Sequence, residues 1–167
     1  KALEIDAAFV PITDDAELPR LFDTYPLFED KLILITCKFH PLANKHIISL
    51  SEAANEKFIF MPRNSIANNI CMEACIKSGF KPQIVHESSY WDTISGLVSA
   101  GLGVSLVTSS VANSLPNRRD IERIRLKETF DTTIALIIRK DLSSVRCMHA
   151  FVNFTLEWME NQMNKKS

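Results

Sequence analysis

Val98-Ser-Ala-Gly101-Leu-Gly103-Val-Ser-Leu-Val107 decides the fold. The chain has four glycines, and three of them, Gly96, Gly101 and Gly103, fall within eight residues here. Glycine used so sparingly marks places where the backbone must turn or approach another segment closely. Upstream, Ile94, Leu97 and Val98 recur at helical spacing behind a candidate cap at Ser89. Downstream, Val104, Leu106 and Val107 make the nearly all-apolar run of a strand buried on both faces. Helix end, tight turn and buried strand together are half of an α/β crossover. Gly101-Leu-Gly103 also looks like a fragment of a dinucleotide fingerprint, but it follows a helix and precedes a strand. That is the reverse of the order that aims a helix N-terminus at a pyrophosphate, so its role is structural.

The same alternation extends in both directions. Ile5, Ala7, Ala8, Phe9 and Val10 are strand-like from the outset, a polar loop covers Thr13 to Glu17, and Leu32 to Cys37 is a second apolar run. Pro41 lacks an N–H and restrains His40 to extended geometry, which makes this a strand exit. Ser49 three residues before Glu52 reads as a capping box for a short helix, and Phe58 to Met61 as the next strand. Asn64 or Ser65 caps a helix through Ile66, Ile70, Ala74 and Ile76 to the stop at Gly79. Gln83 to Glu87 is a short strand, Ser89 to Ala100 a helix and Gly103 to Val107 a strand. After a turn at Pro116 to Asp120, Ile124 and Leu126 suggest an edge strand, and Thr133 to Ile138 a buried one. Val145, Met148, Val152, Leu156 and Met159 give the closing helix one apolar stripe, with a fraying end from Asn164. Alternating elements with short connections predict a largely parallel, doubly wound sheet.

At 167 residues and 46% hydrophobic, the chain is long enough and apolar enough for a real core. A formal charge of −1 gives no electrostatic footprint for nucleic acid, whose binding rests on neutralising phosphates. No run of about 18 apolar residues spans a membrane, and no signal peptide opens the chain, so a cytoplasmic location is expected. Cys37, Cys71, Cys75 and Cys147 are too few and too irregular for a disulfide framework and are expected as free thiols.

Catalytic constellations are missing. Cys71 and Cys75 lie one helical turn apart without a second pair at zinc spacing, and His40, His46, His86 and His149 are scattered. There is no Gly-x-Ser-x-Gly elbow and no phosphate-binding loop. No metal and no cofactor are expected. What remains are two strand-to-helix junctions, Pro62-Arg-Asn-Ser65 and Ser88-Ser-Tyr-Trp91, which an open α/β sheet places at the carboxyl ends of its strands, where ligands settle. Helix capping alone favours serine and asparagine there. Arg63 and two aromatics on consecutive junctions raise a shared small-molecule cleft above that background.

His40-Pro-Leu-Ala43, Ile48-Ser-Leu-Ser-Glu-Ala53, Gly79-Phe-Lys-Pro82 and Leu97 to Val107, in that order, resemble the effector-binding domain of LysR-type transcriptional regulators. The resemblance runs over nearly the whole chain, though Thr108 stands where relatives commonly have proline. It implies an α/β fold of two doubly wound lobes, similar to type II periplasmic binding proteins, with the first lobe incomplete. Residues 1–37 with 131–167 would form lobe I, lacking its first strand and helix, and 38–130 lobe II. The chain crosses between them near Cys37 to His40 and Phe130 to Thr133. A metabolite is then held between the lobes, and DNA is bound only through a winged helix-turn-helix absent from this chain. The family assembles as homodimers or homotetramers.

Carried over position by position, the resemblance assigns effector contacts to Ser88 and Ser89 and to Pro62, Arg63, Asn64 and Ser65 in lobe II. Thr36 lies near the crossing, and Val10 and Pro11 at the rim of lobe I. Ser89 carries the most weight, because its hydroxyl can either cap its helix or face the cleft, and a helix N-terminus there favours an anionic ligand. The alternatives are a solute-binding protein of a transport system, which would carry a secretion signal upstream, and an α/β enzyme, which lacks a catalytic constellation. With a first lobe short of an inner strand, the chain is expected to be clipped from a longer protein or completed by a partner chain.

Overall fold

The computed structural model describes residues 5–13, 20–115 and 120–164. Most of the expected loop at Thr13 to Glu17, most of the turn at Pro116 to Asp120 and the end from Lys165 lie outside the described residues. The strands are β1 (Ala7–Ile12), β2 (Phe22–Cys37), β3 (Ile47–Ile48), β4 (Lys57–Phe60), β5 (Gln83–Glu87), β6 (Ser105–Thr108), β7 (Ile121–Leu126) and β8 (Asp131–Arg139). The helices are α1 (Ile66–Lys77), α2 (Trp91–Ser99), α3 (Ser109–Ser114) and α4 (Arg146–Asn164). The chain divides into two compact units, Lys1–Glu29 with Thr132–Ser167, and Asp30–Asp131.

In the unit Asp30–Asp131, β4 and β5 run parallel, and a parallel bridge from Phe58 to Val104 joins β4 to the start of β6. The N–H of Val104 donates to the Lys57 carbonyl at 2.8 Å, and that of Ile59 to the Val104 carbonyl at 2.9 Å. The second half of β2 pairs antiparallel with β6 (Leu32↔Thr108 to Ile35↔Ser105) and with β7 (Ile33↔Arg125 to Cys37↔Ile121), and β7 pairs parallel with β3. Side chains alternate across the sheet, and both faces are buried. Leu34, Phe58, Phe60, Leu106 and Ile124 pack with Ile70, Ala74 and Cys75 of α1. Ile35, Ile59 and Val107 pack with Ile94 and Val98 of α2 and Ala112 of α3. Burial on both sides is why these strands read as unbroken apolar runs.

The other unit is simpler. β1 pairs antiparallel with β8 from Ala7↔Ile138 to Ile12↔Thr133, and β8 lies between β1 and β2. Leu27, Leu136 and Ile138 bury against Val152 of α4, with Met148, Leu156 and Met159 beside it, the apolar stripe expected for that helix.

Two expectations are corrected. The sheet is mixed rather than largely parallel, because β2 enters antiparallel to both its neighbours in the second unit and β7 runs into β8 with no helix between. A buried apolar run looks the same in either orientation, and only the connections differ. β7 is not an edge strand but sits between β2 and β3. Its Ile121 and Ile124 are buried while Glu122, Arg123 and Arg125 reach solvent.

The glycine joint has the geometry its composition implies. Gly101 has φ +75°, the N–H of Gly101 donates to Val98 and that of Leu102 to Leu97, a Schellman end to α2. At Gly103 a Cβ atom would stand 2.5 Å from the Lys57 carbonyl oxygen, so only glycine lets β4 and the start of β6 meet.

Candidate functional site

Because β4, β5 and the start of β6 run parallel, their carboxyl ends share one edge of the sheet, and each is followed by the start of a helix. In the first loop, the Ser65 hydroxyl accepts from the Asn68 N–H at 3.1 Å and caps α1. Buried Asn68 donates from Nδ2 to the Met61 carbonyl at 2.7 Å, and the Ser65 N–H donates to the Pro62 carbonyl, fixing the turn. Arg63 and Asn64 are exposed. Arg63 Nε donates to Glu87 at 3.1 Å, which ties this loop to the end of β5 and leaves the guanidinium 84% exposed.

In the second loop, the Ser88 N–H donates to the Phe60 carbonyl at 3.1 Å and its hydroxyl accepts from the Tyr90 N–H at 3.2 Å. The residue at the N-cap of α2 is Tyr90, not Ser89, and no side chain caps the helix. The hydroxyl of Ser88 therefore holds the turn, that of exposed Ser89 is free of it, and the first N–H groups of α2 keep their partial positive charge toward solvent. Asp92 in the first turn offsets part of it.

The structure thus gathers Pro62, Arg63, Asn64, Ser65, Ser88 and Ser89 at one edge. Thr36 is elsewhere: its side chain is fully buried on the face of β2 shared with Leu32 and Leu34, and its hydroxyl has no hydrogen-bond partner. Val10 and Pro11 belong to the other unit, where they pair in register with Ala135 and Ile134 of β8. Proline is tolerated in such an outermost strand.

Sequence reasoning missed the third junction. The Thr108 hydroxyl caps α3, and buried Asp30 accepts from both the N–H and the hydroxyl of Ser110. Thr108-Ser-Ser after an apolar strand is a cap signal that was there to be read, whereas Asp30 lies in the part of β2 that carried no strand pattern. Both anchor backbone.

The remaining polar clusters are also scaffold. His40 Nδ1 accepts from the Leu42 N–H at 3.2 Å, so Nε2 carries the proton and faces Glu56 at 3.2 Å. Glu52 accepts from the Ser49 N–H, the expected capping-box bond, and Glu128 takes the Leu50 N–H and the Ser49 hydroxyl. Burial pushes the thiols of Cys71 and Cys75 up, that of Cys75 to about 12, so neither serves as thiolate ligand or nucleophile near neutral pH. Among the described residues no three His, Cys, Asp or Glu side chains gather to hold a metal ion. No described helix is long and apolar enough to cross a membrane. A cavity of about 270 Å³, lined by Lys57, Ile59, Val85, His86, Leu97 and Leu102, lies beside the C-terminal end of α2, away from the hydroxyl-bearing loops.

Residues 2–160 match the family model described as the LysR substrate binding domain. The chain belongs to this family. Among relatives, an uncharacterized HTH-type transcriptional regulator, YwbI of Bacillus subtilis, is 33% identical over 84% of this chain and 45% of its own length. The chain spans less than half the length of the regulators it matches. The Synechocystis CcmR regulatory domain in complex with 2-PG superimposes with a TM-score of 0.80 at 17% identity, covering 95% of this chain and 75% of that one. The effector binding domain of QuiR in complex with shikimate does so with 0.77 at 21% identity, covering 93% and 72%. The matched LysR domain has the α/β, type II periplasmic-binding-like fold that the motif string implies, and the relatives are named as transcriptional regulators rather than transporters.

Proposed function

We propose that this LysR-family domain is the ligand-sensing part of a DNA-binding transcriptional regulator and that it holds a small anionic metabolite against the start of α2. The observation that carries the reading is an α2 N-terminus that no side chain caps, beside an Arg63 held at the end of β5 by Glu87. Free N–H groups at a helix start and a guanidinium fork both suit a carboxylate or phosphate. The hydroxyls of Ser65, Ser88 and Ser89 and the amide of Asn64 supply orientation. The ligand-bound QuiR and CcmR domains support the reading, since domains of this fold hold small molecules.

The remaining assignments belong to the same proposal: lobe I is 1–37 with 131–167 and lobe II is 38–130, and the intact regulator works in the cytoplasm as a homodimer or homotetramer. It contacts DNA through a segment outside this chain and catalyses no reaction. Calorimetry on the intact regulator tests the ligand claim, using a panel of small carboxylates and phosphate esters beside neutral and cationic metabolites. The expected result is binding of an anion, weakened about tenfold, ~1.4 kcal/mol, by Arg63→Ala and by Ser89→Ala. Binding confined to neutral or cationic molecules overturns it.

A further inference from the structure

The helix α4 carries two apolar stripes, and only one is used within its unit. Met148, Val152, Thr155, Leu156 and Met159 face the sheet. Cys147, Phe151, Phe154 and Trp158, at spacings of four, three and four, form a second stripe roughly 110° around the helix. It stays open: Phe154 is 65% and Trp158 51% exposed. Arg146, His149, Asn153, Glu157 and Glu160 occupy the remaining face and are the solvated one. A helix with a single packing partner needs one apolar stripe.

The second stripe looks toward β1. The Phe9 ring meets that of Phe151 edge-on at 6.3 Å and is itself 57% exposed. Phe9 pairs in register with Leu136, so it shares the sheet face that α4 covers. β1 is the last strand in its sheet among the described residues, with an unpaired outer edge six residues long. A free edge of that length under an aromatic shelf is an uncapped template.

Length says what belongs there. The isolated QuiR and CcmR domains match 93% and 95% of this chain, yet the match spans only 72% and 75% of theirs. A domain of this fold therefore holds about a quarter more chain than is accounted for here.

We propose that the surface formed by Phe9, Phe151, Phe154 and Trp158 is the seat of a strand–helix segment of the same domain, its strand added to the outer edge of β1 and its helix laying an apolar face on the α4 stripe. The inference does not depend on which ligand the domain takes.

Cys147, exposed at the head of the stripe, is the reporter. Maleimide labelling of Cys147, followed by peptide mass mapping, is compared between the 167-residue chain and the polypeptide lengthened by the uninterrupted reading frame before it. The expected result is rapid labelling in the shorter chain and at least tenfold slower labelling in the longer one, with Phe154→Glu restoring the fast rate only there. Equal rates in the two overturn the proposal, as does a reading frame too short to supply a strand and helix. Protection in the shorter chain that rises with concentration at the mass of a dimer gives the surface to a second copy and also overturns it.

Discussion

In the unit Asp30–Asp131, Phe58 and Phe60 face α1 while Ile59 between them faces α2, and all three are buried; in the other unit Phe9, Phe154 and Trp158 are each more than half exposed. Both units set helices on a sheet, but the first has one helix for its one described covered face and the second has helices on both. The difference matters for function. The second unit's loops sit on strands clamped from two sides, which suits a site whose N–H groups and hydroxyls must be held in place. The first unit has apolar surface still to bury, which suits docking.

The same type of substitution in the two units breaks the symmetry most sharply. Phe58→Ala is expected to cost about 3–5 kcal/mol in urea-induced unfolding, the price of a cavity in a closed core. Phe154→Ala in the same chain is expected to change stability by about 0.5 kcal/mol or less. A large loss at Phe154 would mean that the stripe is already covered.

The glycine joint sharpens the comparison within the second unit. Gly103→Ala forces its methyl onto the Lys57 carbonyl and is expected to cost about 1–3 kcal/mol, since backbone must move. Gly101→Ala has room but must hold φ +75°, a strain of about 1 kcal/mol. Equal effects would show that the close approach of β4 to the start of β6 is relaxed in solution.

Acid titration gives the smallest effect. The Lys45 ammonium and the Ser49 N–H hold Glu52 below its ordinary value. Burial pushes Glu128 up, but hydrogen bonds from Ser49 and Leu50 outweigh it and leave that group lowered too. Groups lowered by folding stabilise above the ordinary carboxylate range, and that contribution fades as pH falls through it. Thermal unfolding is expected to show a shallow loss of stability below about pH 4.5 that Glu52→Gln and Glu128→Gln each reduce. An acid limb unchanged in both variants would assign it to other carboxylates, such as Asp141 beside Arg139 in the first unit.

Much of this was legible in the residues. Glycine scarcity located the joint, Ser65 and Gly79 bounded α1, and the motif string gave the family. Strand direction was not legible, because Leu32 to Cys37 would look alike in either orientation. The first half of β2 was missed since Phe22 to Lys31 mixes polar residues with Pro26, and α3 because Thr108 was weighed only as a departure from the family. At the site, both junctions were found, but the contact that organises them, Arg63 with Glu87, joins residues 24 apart in sequence and is visible only once β4 and β5 pair. Ser89 was placed on the right loop, yet the turn belongs to Ser88 and the N-cap to Tyr90. Thr36 was chosen for its place in the chain, and alternation along β2 buries it.

The most direct test of the central claim is backbone amide shift mapping of the 167-residue chain during titration with shikimate, succinate and inorganic phosphate, with glycerol and methylamine as controls. The account predicts that an anion moves the amides of Arg63 to Ser65 and Ser88 to Thr93 and leaves those around Lys57, Leu97 and Leu102 still. Shifts confined to that second group, or produced only by the neutral and cationic controls, would contradict it.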